Sequence, residues 1–198
     1  AGCCLTQEHM DIPLDFDSTK RIGAIIGSGG LVVMGDDTCM VEIARFFTDF
    51  SKKESCGKCT PCRDGIPKML AILERITRGE GELEDLDKLE KIADLVRNCS
   101  LCGLGKMATN PVVSTLKYFR DEYVTHVVDK KCPANICKAL VTLRIDPEKC
   151  IGCTKCAVYC PVGAISGKLR KVHTIDLDKC TRCRNCKDGC PMEAIKEV

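Results

Sequence analysis

One cysteine run occurs twice in this chain, and the duplication limits what the chain can fold into more than any other feature. Cys150, Cys153, Cys156 and Cys160 recur 30 residues later as Cys180, Cys183, Cys186 and Cys190. A proline follows each run, Pro161 or Pro191. The flanks repeat as well. Asp146 and Asp176 stand four residues before the first cysteine of each run, and Ala164-Ile165 matches Ala194-Ile195. A fixed period of this kind marks a duplicated unit. Of 198 residues 18 are cysteine, ten of them at or after position 132, whereas aromatic residues make up 4% and tryptophan is absent. Cysteine chemistry must organise much of the fold.

No basic stretch followed by an apolar one leads the chain, so no secretion signal is visible. A disulfide scaffold, which needs an oxidising compartment, is the poorer reading. Metal or redox chemistry in the cytoplasm is expected instead. No apolar run approaches the roughly 18 residues of a membrane span, so no membrane insertion is expected. The 30 Lys and Arg against 28 Asp and Glu leave a formal charge of +2, which gives no field for a nucleic-acid partner.

Cys-x2-Cys-x2-Cys-x3-Cys-Pro, twice, resembles bacterial two-cluster ferredoxins. Three thiolates on one tight loop cover three corners of a cubane, and the fourth comes from the other repeat. One 4Fe–4S cluster is therefore expected on Cys150, Cys153, Cys156 and Cys190, and a second on Cys180, Cys183, Cys186 and Cys160. A zinc module is the poorer reading, because zinc pairs two close ligands with two distant ones and the extra close cysteine is surplus. Residues 138–198 carry 12 basic and 7 acidic side chains. Each cluster with its thiolates brings about −2, so the excess basic charge reads as compensation.

Upstream, residues 1–36 are glycine-rich. Ile22–Ile26 and Leu31–Met34 read as two short strands around Gly27-Ser28-Gly29-Gly30. The dinucleotide fingerprint fails there, since its third glycine falls on Val32. Residues 37–124 read as four amphipathic helices with short connections, a small bundle. Asp37 or Thr38 caps the first, whose stripe is Met40, Ile43, Ala44, Phe47 and Phe50. Ile66, Met69, Leu70, Leu73 and Ile76 form the second stripe, and Leu86, Leu89, Ile92, Ala93 and Val96 the third. Asn110 caps the fourth, with Pro111 at its first position and a stripe of Val112, Val113, Leu116, Phe119 and Tyr123.

Cys56, Cys59 and Cys62 form a third Cys-x2-Cys-x2-Cys loop, between the first and second helices. In an antiparallel bundle the connection between the third and fourth helices emerges at the same end, and it carries Cys102. That residue can close a third 4Fe–4S site, and Cys99 competes for the same role. Gly103-Leu104-Gly105-Lys106-Met107 is no phosphate loop, because Met107 stands where Ser or Thr is required.

SCGKCTPCRDG and SLCGLGKMATNP resemble the cluster loop of the flavin-containing, NADH-oxidising subunit of complex I and its soluble relatives. GSGGLVVMGDDTCMV resembles the segment leading from that family's β-grasp domain into its helical bundle. With the ferredoxin-like end added, the chain resembles the C-terminal part of the beta subunit of NAD(P)-linked, electron-bifurcating FeFe-hydrogenases. Beta subunits of NAD-dependent formate dehydrogenases are the alternative. The resemblance implies a mainly α fold with an α+β end, comprising the end of a β-grasp segment (1–36), a four-helix bundle with one cluster (37–124), a linker (125–140) and a two-cluster ferredoxin domain (141–198). It also implies a hetero-oligomeric complex with an FeFe-hydrogenase catalytic subunit, a thioredoxin-like 2Fe–2S subunit and ferredoxin. FMN and NAD(P) are expected only on an upstream domain that nothing here matches. The segment is then a relay without a catalytic site of its own, in an oxidoreductase complex.

Six cysteines remain: Cys3, Cys4, Cys39, Cys99, Cys132 and Cys137. His126, Cys132 and Cys137 offer three soft ligands within the linker, one short of a structural zinc tetrahedron. The resemblance implies Cys39 as the fourth. Free buried thiols with a surface histidine are the competing reading, and a zinc-stabilised interaction module without redox activity is the competing function. His9 and His173 have no visible partners.

Overall fold

The computed structural model describes residues 3–26 and 29–197. The chain divides into two units, Ala1–Cys137 and Lys138–Val198. The first is helical: α1 (Phe16–Arg21), α2 (Met40–Glu54), α3 (Thr60–Thr77), α4 (Glu84–Cys99), α5 (Gly103–Met107), α6 (Asn110–Tyr118) and α7 (Arg120–Val124). Helix α2 packs on α3 and α6, and α4 packs on the same two.

The start of α2 departs from expectation. Cys39 caps it in place of Asp37 or Thr38, its Sγ accepting the Glu42 N–H at 3.4 Å. The buried face runs through Met40, Val41, Ala44, Thr48 and Ser51, and Phe50 is 49% exposed. Polar residues can fill that face because each hydroxyl donates to a carbonyl one turn back, Thr48 to Ala44 at 2.7 Å and Ser51 to Phe47 at 2.9 Å.

Helix α3 buries Cys62, Gly65, Ile66, Met69, Leu70, Leu73 and Ile76. Gly65 is where α3 meets α4, since a Cβ there would stand 2.2 Å from Val96 Cγ2. Helix α4 opens on Glu84, Asp85 and Asp87, favourable charges for a helix N-terminus. Buried Asp85 accepts from Arg75 Nη2 at 2.8 Å and from the Glu82 N–H at 3.0 Å.

The expected fourth helix is broken. Asn110 is its first helical residue and Thr109 takes the cap position. At Phe119 the backbone leaves the helix (φ −129°, ψ 35°), and α7 starts anew. The break seats Tyr123 in the core, fully buried, with its hydroxyl 2.7 Å from Thr115 Oγ1. A π-helical turn, Thr125–Asp129, follows.

The strands expected at Ile22–Ile26 and Leu31–Met34 do not form among the described residues; Gly27 and Ser28 lie outside them. Leu31, Val32 and Val33 are exposed. A strand needs a partner, and these residues have none here, so the β-grasp end is not seen.

The second unit holds β1 (Leu143–Ile145), α8 (Lys155–Val158), β2 (Ile165–Ser166), β3 (Thr174–Ile175), α9 (Asn185–Asp188) and β4 (Ile195–Glu197). Strand β1 pairs antiparallel with β4, with Leu143 opposite Glu197 and Ile145 opposite Ile195. Strand β2 pairs with β3, with Ile165 opposite Ile175. Each repeat thus opens on a strand that pairs with the strand closing the other. The duplication is visible in the hydrogen bonds. Asp146 N–H donates to Ala194 and Asp176 N–H to Ala164, both at 2.7 Å, and Cys150 and Cys180 donate back to those aspartates' carbonyls, both at 3.0 Å. Left-handed backbone recurs at matched positions, Gly152 with Arg182, Thr154 with Arg184 and Gly163 with Glu193.

Candidate metal centres

The interleaved strands bring the two cysteine runs together in two cavities. Cys150, Cys153, Cys156 and Cys190 line the first, with Ile145, Ile151, His173 and Met192 among its other walls. Cys160, Cys180, Cys183 and Cys186 line the second, with Leu143, Val162, Ile165, Thr181 and Arg184. Each cavity takes three thiols from one repeat and one from the other. Burial pushes the Cys186 thiol up to about 11, with the charge of Cys180 adding to it, and burial likewise raises Cys156. Four mutually repelling thiolates need a positive core to balance them, which fits an iron–sulfur cluster. Backbone N–H groups face the crossing ligands, Ala164 to Cys160 Sγ at 3.2 Å and Ala194 to Cys190 Sγ at 3.4 Å.

The third constellation sits where α3 begins. Cys59 caps α3, Gly57 turns the loop in left-handed backbone, and Ser55 Oγ lies 3.2 Å from Cys62 Sγ. Burial raises the Cys62 pKa, and the charges of Cys59, Cys102 and Cys56 raise it further. The backbone of Leu101 lowers that of Cys59. Both shifts set the connection after α4 beside the α3 loop. Gly105 permits the approach, because a Cβ there would come within 2.6 Å of Ser100 and 3.3 Å of Cys62 Cβ. Cys99 ends α4, and it and Cys102 are both exposed.

A fourth group is of another kind. Cys39, His126, Cys132 and Cys137 are all buried, with ligand atoms within 4.8 Å of one another. Among the described residues no other set of three or more such side chains draws so close. Cys39 Sγ stands 3.3 Å from His126 Nε2 and 3.7 Å from Cys137 Sγ, and Cys137 Sγ stands 3.5 Å from His126 Nε2. A zinc tetrahedron has S–S edges of about 3.8 Å and S–N edges of about 3.6 Å, from its usual bond lengths. His126 Nδ1 donates to the Glu122 carbonyl at 2.8 Å, which leaves the Nε2 lone pair facing the thiols. Hydrogen bonds from Cys137 and Cys39 hold Cys132 far below the usual thiol range, while those same bonds push Cys137 and Cys39 up. Together the four side chains could hold one metal ion.

Two family descriptions fit these sites. Residues 42–126 match the NADH-ubiquinone oxidoreductase-F iron–sulfur binding region, and residues 143–197 match the 4Fe-4S dicluster domain. The chain carries both domains. The NADP-reducing hydrogenase subunit HndC of Solidesulfovibrio fructosivorans is 47% identical over 173 residues, 87% of this chain and 35% of that subunit. An NADH-quinone oxidoreductase subunit of Mycobacterium bovis is 46% identical over 129 residues, 65% of this chain and 29% of the relative. A crystal structure of NAD+-reducing [NiFe]-hydrogenase in the H2-reduced state aligns over 64% of this chain and 21% of its own, with a TM-score of 0.57 and 32% identity. The chain spans about a third of the length of the curated relatives it matches. Among the described residues no helix is long and apolar enough to cross a membrane.

Two placements were not legible in the sequence. Cys4 N–H donates to Ser114 Oγ at 3.1 Å, tying the start of the chain to α6. His173, without an evident partner in the sequence, lies in the wall of the first cavity.

Proposed function

We propose that this chain is an electron-relay segment of an NAD(P)-linked hydrogenase assembly, holding three 4Fe–4S clusters and one structural zinc. The paired cavities, each walled by three thiols of one repeat and the fourth of the other, carry this reading. When bound, the clusters supply one-electron transfer. Cys56, Cys59, Cys62 and Cys102 hold one on a four-helix bundle spanning 37–124. Cys150, Cys153, Cys156 and Cys190 hold the second, and Cys180, Cys183, Cys186 and Cys160 the third, in a ferredoxin-like domain over 141–198. The N–H groups of Ala164 and Ala194 share the negative charge on Cys160 and Cys190, which favours the reduced state. Zinc on Cys39, His126, Cys132 and Cys137 fixes the 125–140 segment to the start of α2.

A hydrogenase setting is favoured over complex I by the extent of the match. The similarity to HndC covers 173 of 198 residues, leaving 25 outside it, so at least 36 of the 61 residues of Lys138–Val198 lie within it. FMN and NAD(P) belong on a preceding domain. The partners are then a hydrogenase catalytic subunit, a thioredoxin-like 2Fe–2S subunit and ferredoxin, in an assembly that divides electrons between two acceptors. Stepwise anaerobic reduction tests the relay. About three electrons per chain are expected from three one-electron clusters. Metal-replete protein that takes up none would overturn it.

A further inference from the structure

The two cavities are built from matching positions of the two repeats, with chemically different walls. Shifted by the 30-residue period, the cysteines coincide, Met192 matches Val162, Ile195 matches Ile165 and Ile151 matches Thr181. His173 of the first cavity coincides with Leu143 of the second. A buried imidazole thus stands in the first cavity where the second has an aliphatic side chain, while Arg184 lines the second alone.

That imidazole is 2% exposed. Its Nδ1 lies 3.1 Å from the Lys171 carbonyl, which can only accept, so Nδ1 donates. Nε2 is buried with no hydrogen-bond partner. A buried polar atom left this way is costly and calls for a partner. The ring is also clamped in place. A Cβ on Gly167 would stand 2.5 Å from its Cγ and Cδ2, so the chain keeps a glycine against its face. Four cysteines already supply one ligand for each iron of a cubane. What Nε2 can meet in this cavity is therefore sulfur, and sulfur accepts. A proton on Nε2 makes an N–H donor toward that sulfur.

We propose that His173 donates Nε2–H to a sulfur of the cluster in the Cys150–Cys190 cavity and holds that cluster at a more positive potential than an aliphatic side chain in its place would. This rests on the two-cluster reading of Lys138–Val198. The second cavity, with Leu143 at the matching place, has no such donor from that position. His173 is a positioning residue that acts on the cluster's charge. It is not a ligand.

Two measurements on the full chain test this. His173 is the only histidine after position 126 in the sequence. With 15N-labelled histidine and partially reduced protein, pulsed electron paramagnetic resonance should show a weak histidine-nitrogen coupling to one ferredoxin-like cluster. The coupling should disappear in His173→Leu. Redox titration of His173→Leu, which copies the twin, should move one midpoint negative by about tenfold in the oxidised-to-reduced ratio, about 59 mV for one electron. The other midpoints should stay put. His173→Gln, which keeps a neutral donor, should retain part of the offset. Wild-type protein with both clusters and no such coupling overturns the proposal, even if His173→Leu fails to fold. A coupling as strong as direct iron ligation overturns it too, as does an unchanged midpoint in His173→Leu. Iron content separates the levels, since a Lys138–Val198 unit lacking iron would overturn the two-cluster reading itself.

Discussion

Removing zinc from the Cys39–His126–Cys132–Cys137 site should lower the stability of the helical unit, and the structure sets the scale. The separations of 3.3, 3.5 and 3.7 Å lie within about 0.3 Å of the edges of a zinc tetrahedron. Cys39, Cys137 and His126 barely need to move, and Cys132 Sγ lies within 4.8 Å of them, so metal binding is little taxed by reorganisation. Free zinc at a thousand times its dissociation constant stabilises a protein by about 4 kcal/mol. For a unit the size of Ala1–Cys137, each kcal/mol moves the thermal midpoint by about 4 °C. Stripping zinc from the full chain should then lower the helical unfolding midpoint by about 16 °C. Circular dichroism reads the helices, and visible absorption checks that the iron–sulfur chromophores survive the chelator. Cys137→Ala, with three ligands left, should respond little to added zinc. Because thiols bind zinc as thiolates, the zinc-dependent shift should shrink as pH falls. Equal midpoints with and without zinc in the native sequence would refute the reasoning.

Crossed ligation gives a sharper test of the repeats. Cys190→Ala should disturb the cluster of the first run, and Cys160→Ala that of the second, as told by which signal disappears when each is paired with a mutation in its own loop. Loss following the run in which the mutated cysteine lies in sequence would contradict the assignment. Gly65→Ala should destabilise the helical unit by about 1–3 kcal/mol through overpacking, because its Cβ would meet Val96 Cγ2 at 2.2 Å. Thermal unfolding checks this, and an unchanged midpoint would show that the α3–α4 contact is looser than described.

Much of the candidate site was legible in the sequence because its cysteine spacing is local. Three thiols on one loop leave a pattern that no tertiary detail disguises, and a repeat doubles the signal. The helices were legible too, yet their faces were less so. Thr48 and Ser51 lay outside the apolar stripe yet are buried, their hydroxyls returning to the helix backbone, and Phe50 read as core although half of it is exposed. The break at Phe119 has no glycine or proline to announce it. The pairing of β1 with β4 joins Leu143 to Glu197 across the whole second unit, a contact between three-residue strands that periodicity cannot register. The strands read into Ile22–Ile26 and Leu31–Met34 came from two apolar runs around a glycine turn, with no neighbouring sheet to fix them. His173 escaped for a related reason. Its significance lies in an orphaned nitrogen and a glycine packed on its ring, both spatial facts.

The relay stands or falls on what the chain holds, so the most direct measurement is iron, sulfide and zinc per chain on anaerobically prepared protein. Three clusters and one zinc predict about twelve irons, about twelve sulfides and one zinc. Eight irons would keep the ferredoxin-like clusters and remove the one assigned to Cys56, Cys59, Cys62 and Cys102. Little iron with several zincs would contradict the relay and leave a zinc-stabilised structural module in its place.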